Sequence, residues 1–219
     1  MVEPKSQNIF WTEPGISLAQ RELRHGHRGC VVWLTGLSGA GKSTLAVEIE
    51  KKLFDLYHEV YVLDGDKLRH GLNSDLGFAP DDRRENIRRV GETAKLMAMA
   101  GVVTLAAFIS PYRADRDIVR NIVRNIMPDG RFIEVHVKAD LATVEQRDTK
   151  GLYAKARAGL IKGFTGISAP YEPPIFPEVV VDTSVQDIPT CVTEILSYIK
   201  RIDSASTVSV CEILRVGSA

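Results

Sequence analysis

The chain has 219 residues, 28 of them basic and 28 acidic, so its formal net charge is zero. That length suggests one α/β domain with modest additions, and the cancelled charge excludes a global field that would gather nucleic acid or an anionic membrane surface. No apolar run approaches the roughly 18 residues that span a bilayer, and the opening MVEPKSQNIF has no basic stretch followed by an apolar one, so the expectation is a cytoplasmic protein without membrane or nucleic-acid partners.

Residues 1–29 are polar and broken by Pro4, Pro14, Gly15, Gly26 and Gly29, with Ile9-Phe10-Trp11 as the only apolar anchor. They read as an N-terminal arm. Cys30-Val31-Val32-Trp33-Leu34-Thr35 is a short run rich in β formers, after which Leu45, Ile49, Leu53 and Leu56 repeat at helical spacing through 42–57. This is the pattern of a buried strand feeding a helix. Further strands are predicted at 59–63, 102–109, 131–137 and 178–181, separated by helical periodicity at 82–100, 114–126 and 186–201. Such alternation implies a mostly parallel five-stranded sheet. Runs as apolar as Val102 to Ile109 fit strands covered on both faces, so the expected fold class is α/β, a three-layer α/β/α sandwich.

The stretch Thr149 to Tyr171 holds Lys150, Lys155, Arg157 and Lys162, five glycines or prolines, and no acidic residue. An ordinary solvated face mixes both signs, so about 148–171 reads as a basic lid within a domain of 30–201. The remainder, 202–219, reads as a C-terminal tail without recognisable chemistry. Cys30, Cys191 and Cys211 lack metal-ligand spacing and read as reduced and structural.

Gly36-Leu37-Ser38-Gly39-Ala40-Gly41-Lys42-Ser43 matches G-x-x-x-x-G-K-[ST] and lies between a predicted strand and a predicted helix. Its glycines let consecutive N–H groups turn inward onto a phosphate, and the helix N-terminus adds partial positive charge. Lys42 then reaches the β- and γ-phosphates of ATP, and the Ser43 hydroxyl can ligate Mg²⁺. Asp64-Gly65-Asp66 places two carboxylates just past the second predicted strand, where ligands bind in open α/β sheets. Beside a phosphate loop they can orient the metal shell or take a proton from an acceptor hydroxyl. Phosphate loops also serve switches and motors. No guanine-reading Asn/Thr-Lys-x-Asp stretch is present, and a small kinase closing a basic lid over two anionic substrates explains the most features together. A kinase for another small acceptor, or a nucleotide-binding regulator, stays open on the residues alone.

Five blocks in order narrow the choice. The loop preceded by Val32-Trp33-Leu34-Thr35, Leu63-Asp64-Gly65-Asp66 running on to Arg69 and Gly71-Leu72-Asn73, Leu76-Gly77-Phe78 with Asp82 to Arg89, Phe108-Ile109-Ser110-Pro111-Tyr112, and Asp148 to Tyr153 with Gly163 to Ile167 resemble those of the adenylyl-sulfate kinases, or APS kinases. The resemblance spans roughly residues 7–200 and implies a P-loop kinase fold, a homodimer, and transfer of phosphate from MgATP to adenosine 5′-phosphosulfate. It implies nucleotide binding by Gly36, Leu37, Ser38, Gly39, Ala40, Gly41, Lys42, Ser43, Thr44 and Arg147, with Mg²⁺ held by Ser43 and by Asp64 through water. On the acceptor side it implies Arg69, Arg83 and Asn86 for anion and ribose, Phe78 and Phe164 around the adenine, and Ile109, Lys150 and Leu152 alongside. Asp66 is then expected at the acceptor 3′-hydroxyl. Ser110 matches a serine described in the family as a phosphoserine intermediate, its alternative being a strand-end serine that bonds a phosphate or caps the backbone. Thr12 departs from a frequent histidine, and since no second catalytic block follows residue 201, a separate sulfurylase is expected to supply the acceptor.

Overall fold

The computed structural model describes residues 6, 8–10, 12, 14–127 and 130–216, with side chains as far as residue 203. Trp11 and the Cys211 side chain lie outside this set. Five strands, β1 (Cys30–Thr35), β2 (Val60–Asp64), β3 (Val103–Ala107), β4 (Phe132–Lys138) and β5 (Val179–Asp182), form one sheet in the order β2-β3-β1-β4-β5. Every neighbouring pair is parallel.

Period-two alternation divides the strands between two apolar layers. Cys30, Val32 and Leu34 of β1 join Leu105 of β3, Ile133 and Val135 of β4, and Leu45, Ile49 and Leu53 of α2 (Lys42–Asp55) in one cluster, closed by Ile195 and Ile199 of α8 (Ile188–Val216). Val31, Trp33, Ala106, Phe108 and Phe132 face the other way, onto Ile87, Val90 and Ala94 of α4 (Pro80–Met99) and Val119 and Val123 of α5 (Arg113–Arg124). At the crossing of α4 and α5 a Cβ on Gly91 would stand 2.9 Å from Val119 Cγ2, so this close approach requires glycine. Helices on both faces of a parallel sheet are the three-layer arrangement expected from the strand–helix alternation.

Two departures concern the ends. Within the segment read as an arm, Leu18–His25 forms α1, capped by Ser17, whose hydroxyl accepts from Gln20 N–H while the Gln20 side chain accepts from Ser17 N–H. Gly26 ends it in the left-handed region at φ 74°, and Glu22 pairs with the buried Arg131 beside β4. Within the segment read as a tail, α8 continues without a break to Val216.

The layer between α5 and β4 is ionic as well as apolar. Arg116, 2% exposed, pairs with Glu134 at 2.7 Å, and Arg120 bonds the same carboxylate at 2.9 Å and also pairs with Glu178. Arg116 further donates to the carbonyls of Ser110 and Glu172 at 2.7 Å each. One buried guanidinium thus ties the end of β3 to the segment returning from the lid.

Candidate active site

All five strands point their carboxyl ends to one edge, and the connection after β1 wraps there into the phosphate loop. A Cβ on Gly36, at φ 156°, would stand 2.3 Å from Val137 O, so any other residue would push the loop off β4. Gly41 enters α2 at φ 94°. The loop's carbonyls each have a donor. Lys42 Nζ donates to Gly36 O at 2.9 Å and Leu37 O at 2.7 Å, the Tyr153 hydroxyl to Ser38 O at 2.9 Å, Arg147 to Gly39 O at 3.3 Å, and the Thr183 hydroxyl to Ala40 O at 2.9 Å. In a trans peptide the carbonyl and the next N–H point opposite ways. Holding the carbonyls of Ser38, Gly39 and Ala40 from elements outside the loop therefore aims the N–H groups that follow them into it, the arrangement that receives phosphate oxygens.

Lys42 is nearly buried at 9% exposure, and burial pushes its amine down to about 7 despite the nearby Asp64 carboxylate. An anion placed at the loop opposes that shift, because its negative charge favours the protonated amine and offsets the hydration lost on burial. Ser43 Oγ donates to Asp64 Oδ2 at 2.7 Å, while Asp64 Oδ1 accepts from Asp66 N–H at 3.0 Å and caps α3 (Gly65–Arg69). A hydroxyl and a carboxylate are thus fixed side by side at the start of α2. Among the described residues there is no cluster of three or more His, Cys, Asp or Glu able to hold a metal on its own. This donor set suits a hard cation that keeps waters and takes most of its ligands from a nucleotide. Asp66 itself is exposed and pairs with Lys150 of the lid.

One arginine joins the start of α4 to the lid. Arg83, on the first turn of α4, donates through Nε to Phe78 O at 2.8 Å, through Nη2 to Gly163 O at 2.7 Å and through Nη1 to the Thr165 hydroxyl at 3.1 Å. The backbones that carry Phe78 and Phe164 are thereby tied by a single guanidinium. Arg69 donates to Leu76 O at 2.9 Å and Gly77 O at 3.0 Å and lies 4.2 Å over the Phe78 ring. Phe78 is 69% exposed. Phe164 is half-buried and meets Tyr153 edge-on. Asn86 is buried and its amide oxygen accepts from Asn73 at 3.1 Å. Ser110, three residues past the end of β3, is 2% exposed, has φ 38° and accepts at Oγ from the Trp33 indole at 3.1 Å.

A family model for adenylylsulphate kinase matches residues 28–182. The chain belongs to that family. It is 53% identical over 196 residues to the adenylyl-sulfate kinase of Staphylococcus carnosus, covering 90% of this chain and 96% of that one. With the adenylyl-sulfate kinase of Lactiplantibacillus plantarum it shares 56% over 195 residues, 89% of this chain and 92% of that one. Among solved structures, the Mycobacterium tuberculosis APS kinase in complex with AMPPNP and APS superposes with a TM-score of 0.76 at 44% identity, covering 80% of this chain and 99% of that chain.

Of the residues expected around the nucleotide, Gly36 to Thr44 form the loop and the first residues of α2, and Arg147 meets them at Gly39 O. Of those expected around the acceptor, Asp66 and Arg69 lie on α3, Arg83 and Asn86 on α4, Lys150, Leu152 and Phe164 in the lid, Phe78 just before α4 and Ile109 just after β3. Leu152 opens α7 (Leu152–Arg157), and Ile109 meets the end of β1 through its carbonyl, which accepts from the Thr35 hydroxyl at 2.8 Å. Sequence reasoning gave no role to Tyr153, Thr183, Asn73 or Arg116, whose partners Ser38, Ala40, Asn86 and Glu134 lie on other elements. The lid's Arg157 pairs with Glu145, while Lys155 and Lys162 have no ion-pair partner among the described residues.

Proposed function

We propose that this protein is an ATP-dependent adenylyl-sulfate kinase, transferring the γ-phosphoryl group to the 3′-hydroxyl of adenosine 5′-phosphosulfate to give 3′-phosphoadenosine 5′-phosphosulfate and ADP. The observation that carries the reading is the pairing of a rigidly held phosphate loop with an acceptor wall of two aromatic rings and two arginines. A base fits the rings and a phosphosulfate fits the guanidiniums. Ser43 and Asp64, the latter through water, would hold Mg²⁺, which when bound with ATP neutralises charge on its phosphates. Lys42 follows the transferring group, and Asp66 receives the proton of the 3′-oxygen as that oxygen bonds to phosphorus and the bond to the ADP oxygen breaks. Lys150, paired to Asp66, holds that carboxylate in place. Homodimeric assembly and a cytoplasmic location belong to the same proposal.

Acceptor choice tests it. ADP release is expected with adenylyl sulfate, and not with AMP, nucleosides or gluconate. Preference for any of the others would overturn the assignment. Phe78, being exposed, gives a clean second check: Phe78→Ala should weaken use of adenylyl sulfate by about 1–3 kcal/mol, as for other aromatic–base contacts, with ATP use and thermal stability unchanged. Equal weakening of both substrates would remove the ring from the acceptor site.

Ser110 fits a positioning role better than a covalent one. Its oxygen is buried and bonded to the Trp33 indole, and no base is hydrogen-bonded to it among the described residues, whereas a serine nucleophile needs one. Direct in-line transfer requires only placement and charge stabilisation. Chirally labelled ATP should therefore give inversion at phosphorus, and net retention would establish a phosphoserine route.

A further inference from the structure

The lid helix α7 sets Tyr153 against both halves of the site at once. Its hydroxyl donates to Ser38 O of the phosphate loop at 2.9 Å, and its ring meets that of Phe164 edge-on, with centroids 4.9 Å apart and planes at 80°. The side chain is 2% exposed and belongs to the apolar cluster that contains Ala40, Leu45 and Val144. Asp148 fixes its backbone, the carboxylate accepting from the N–H groups of Ala154 and Tyr153 at 3.0 Å each. Those bonds, that from Ala154 first, hold Asp148 below the usual carboxylate range.

We propose that Tyr153 is a positioning residue that couples the nucleotide half of the site to the acceptor half, so that filling either makes the other easier to fill. This rests on the reading above, in which the loop holds ATP and Phe164 stacks on the acceptor's base. The Ser38–Gly39 peptide has one orientation for which Ser38 O reaches the tyrosine and Gly39 N–H faces a phosphate. A phosphate on that N–H fixes the plane, which fixes the hydroxyl, which sets the ring edge against Phe164. A base stacked on Phe164 acts along the same chain from the other end, and such coupling is reciprocal by linkage. A tyrosine that merely filled space between α7 and the loop would contribute to stability and leave the two affinities independent.

Calorimetric titration of adenylyl sulfate, with and without saturating MgADP, separates these cases in the wild type and in Tyr153→Phe, which keeps the ring and removes only the oxygen. MgADP is expected to tighten adenylyl sulfate binding to the wild type by about fivefold or more, the lower end of usual coupling. In Tyr153→Phe the ratio should fall to between about one and two, with the affinity for adenylyl sulfate alone nearly unchanged. Should that variant melt below the assay temperature, Phe164→Leu, which removes the ring that Tyr153 meets and leaves the hydroxyl bond, must lower the same ratio. A wild-type ratio of one, or an undiminished ratio in folded Tyr153→Phe, overturns the coupling role and leaves the kinase reading standing. Wild-type protein that neither binds nor phosphorylates adenylyl sulfate overturns both.

Discussion

Lys42→Ala is expected to lower kcat by about a thousandfold or more while the protein stays folded. The amine is the one cation inside the loop, it is poised by burial at about 7, and its range covers the carbonyls of Gly36 and Leu37 at 2.9 and 2.7 Å. Deleting a single preorganised donor from a site of developing charge costs about 10²–10³ in kcat, and a full charge at the transferring phosphoryl group should cost at least the upper end of that range. Stability should move little, since removing a desolvated cation relieves a burial penalty even as two carbonyls lose a donor. Steady-state ADP release together with a thermal melt checks both halves. Near-wild-type turnover would displace the phosphoryl site from this loop.

Glu134→Ala should be the most destabilising single change outside the apolar core, by about 3–5 kcal/mol, the usual cost of leaving a buried charge unpaired. Arg116 would lose its 2.7 Å partner while remaining 2% exposed, and Arg120 would keep only Glu178. Function should suffer beyond stability. Arg116 holds Ser110 O and Glu172 O, so its displacement loosens the end of β3 and the return of the lid together. Denaturant unfolding measures the first effect, and the rise in KM for adenylyl sulfate at a temperature where the variant is folded measures the second. Loss of less than about 1 kcal/mol would show that water reaches Arg116 and that the pair is worth no more than a surface one.

What was legible in the chain divides along sequence distance. The strand from Cys30 to Thr35 was readable because all six residues are buried, and burial on both faces leaves an uninterrupted apolar run. The phosphate loop was readable because its chemistry is local: its glycines, lysine and serines fall within eight consecutive positions. Helix α1 was not, since its cap is local but its anchor, Glu22 to Arg131, spans 109 residues. Its other signals, Ser17 with Gln20 and then Gly26, lacked the apolar stripe that usually marks a helix, and none of its residues is buried. The residues proposed for the acceptor were assigned only through the family blocks. Phe78 and Phe164 are unremarkable as single aromatics, and nothing in their spacing foretells that Arg83 would bridge their backbones. Sheet order was likewise beyond the pattern, which shows alternation and not adjacency.

The donors that hold the phosphate loop's outward carbonyls arrive late in the chain. Gly36 to Lys42 leave the ribosome early, but Arg147 and Tyr153 follow about a hundred residues later, and Thr183 closes Ala40 O only after the last strand is made. A nascent chain carrying the complete motif therefore has the residues of a nucleotide site without its shape. Because a ligand stabilises only the state that binds it, ATP in the cell can offer this protein little help during synthesis. Its stabilising effect begins when residue 183 has cleared the exit tunnel, and truncated chains ending before β5 should gain nothing from nucleotide.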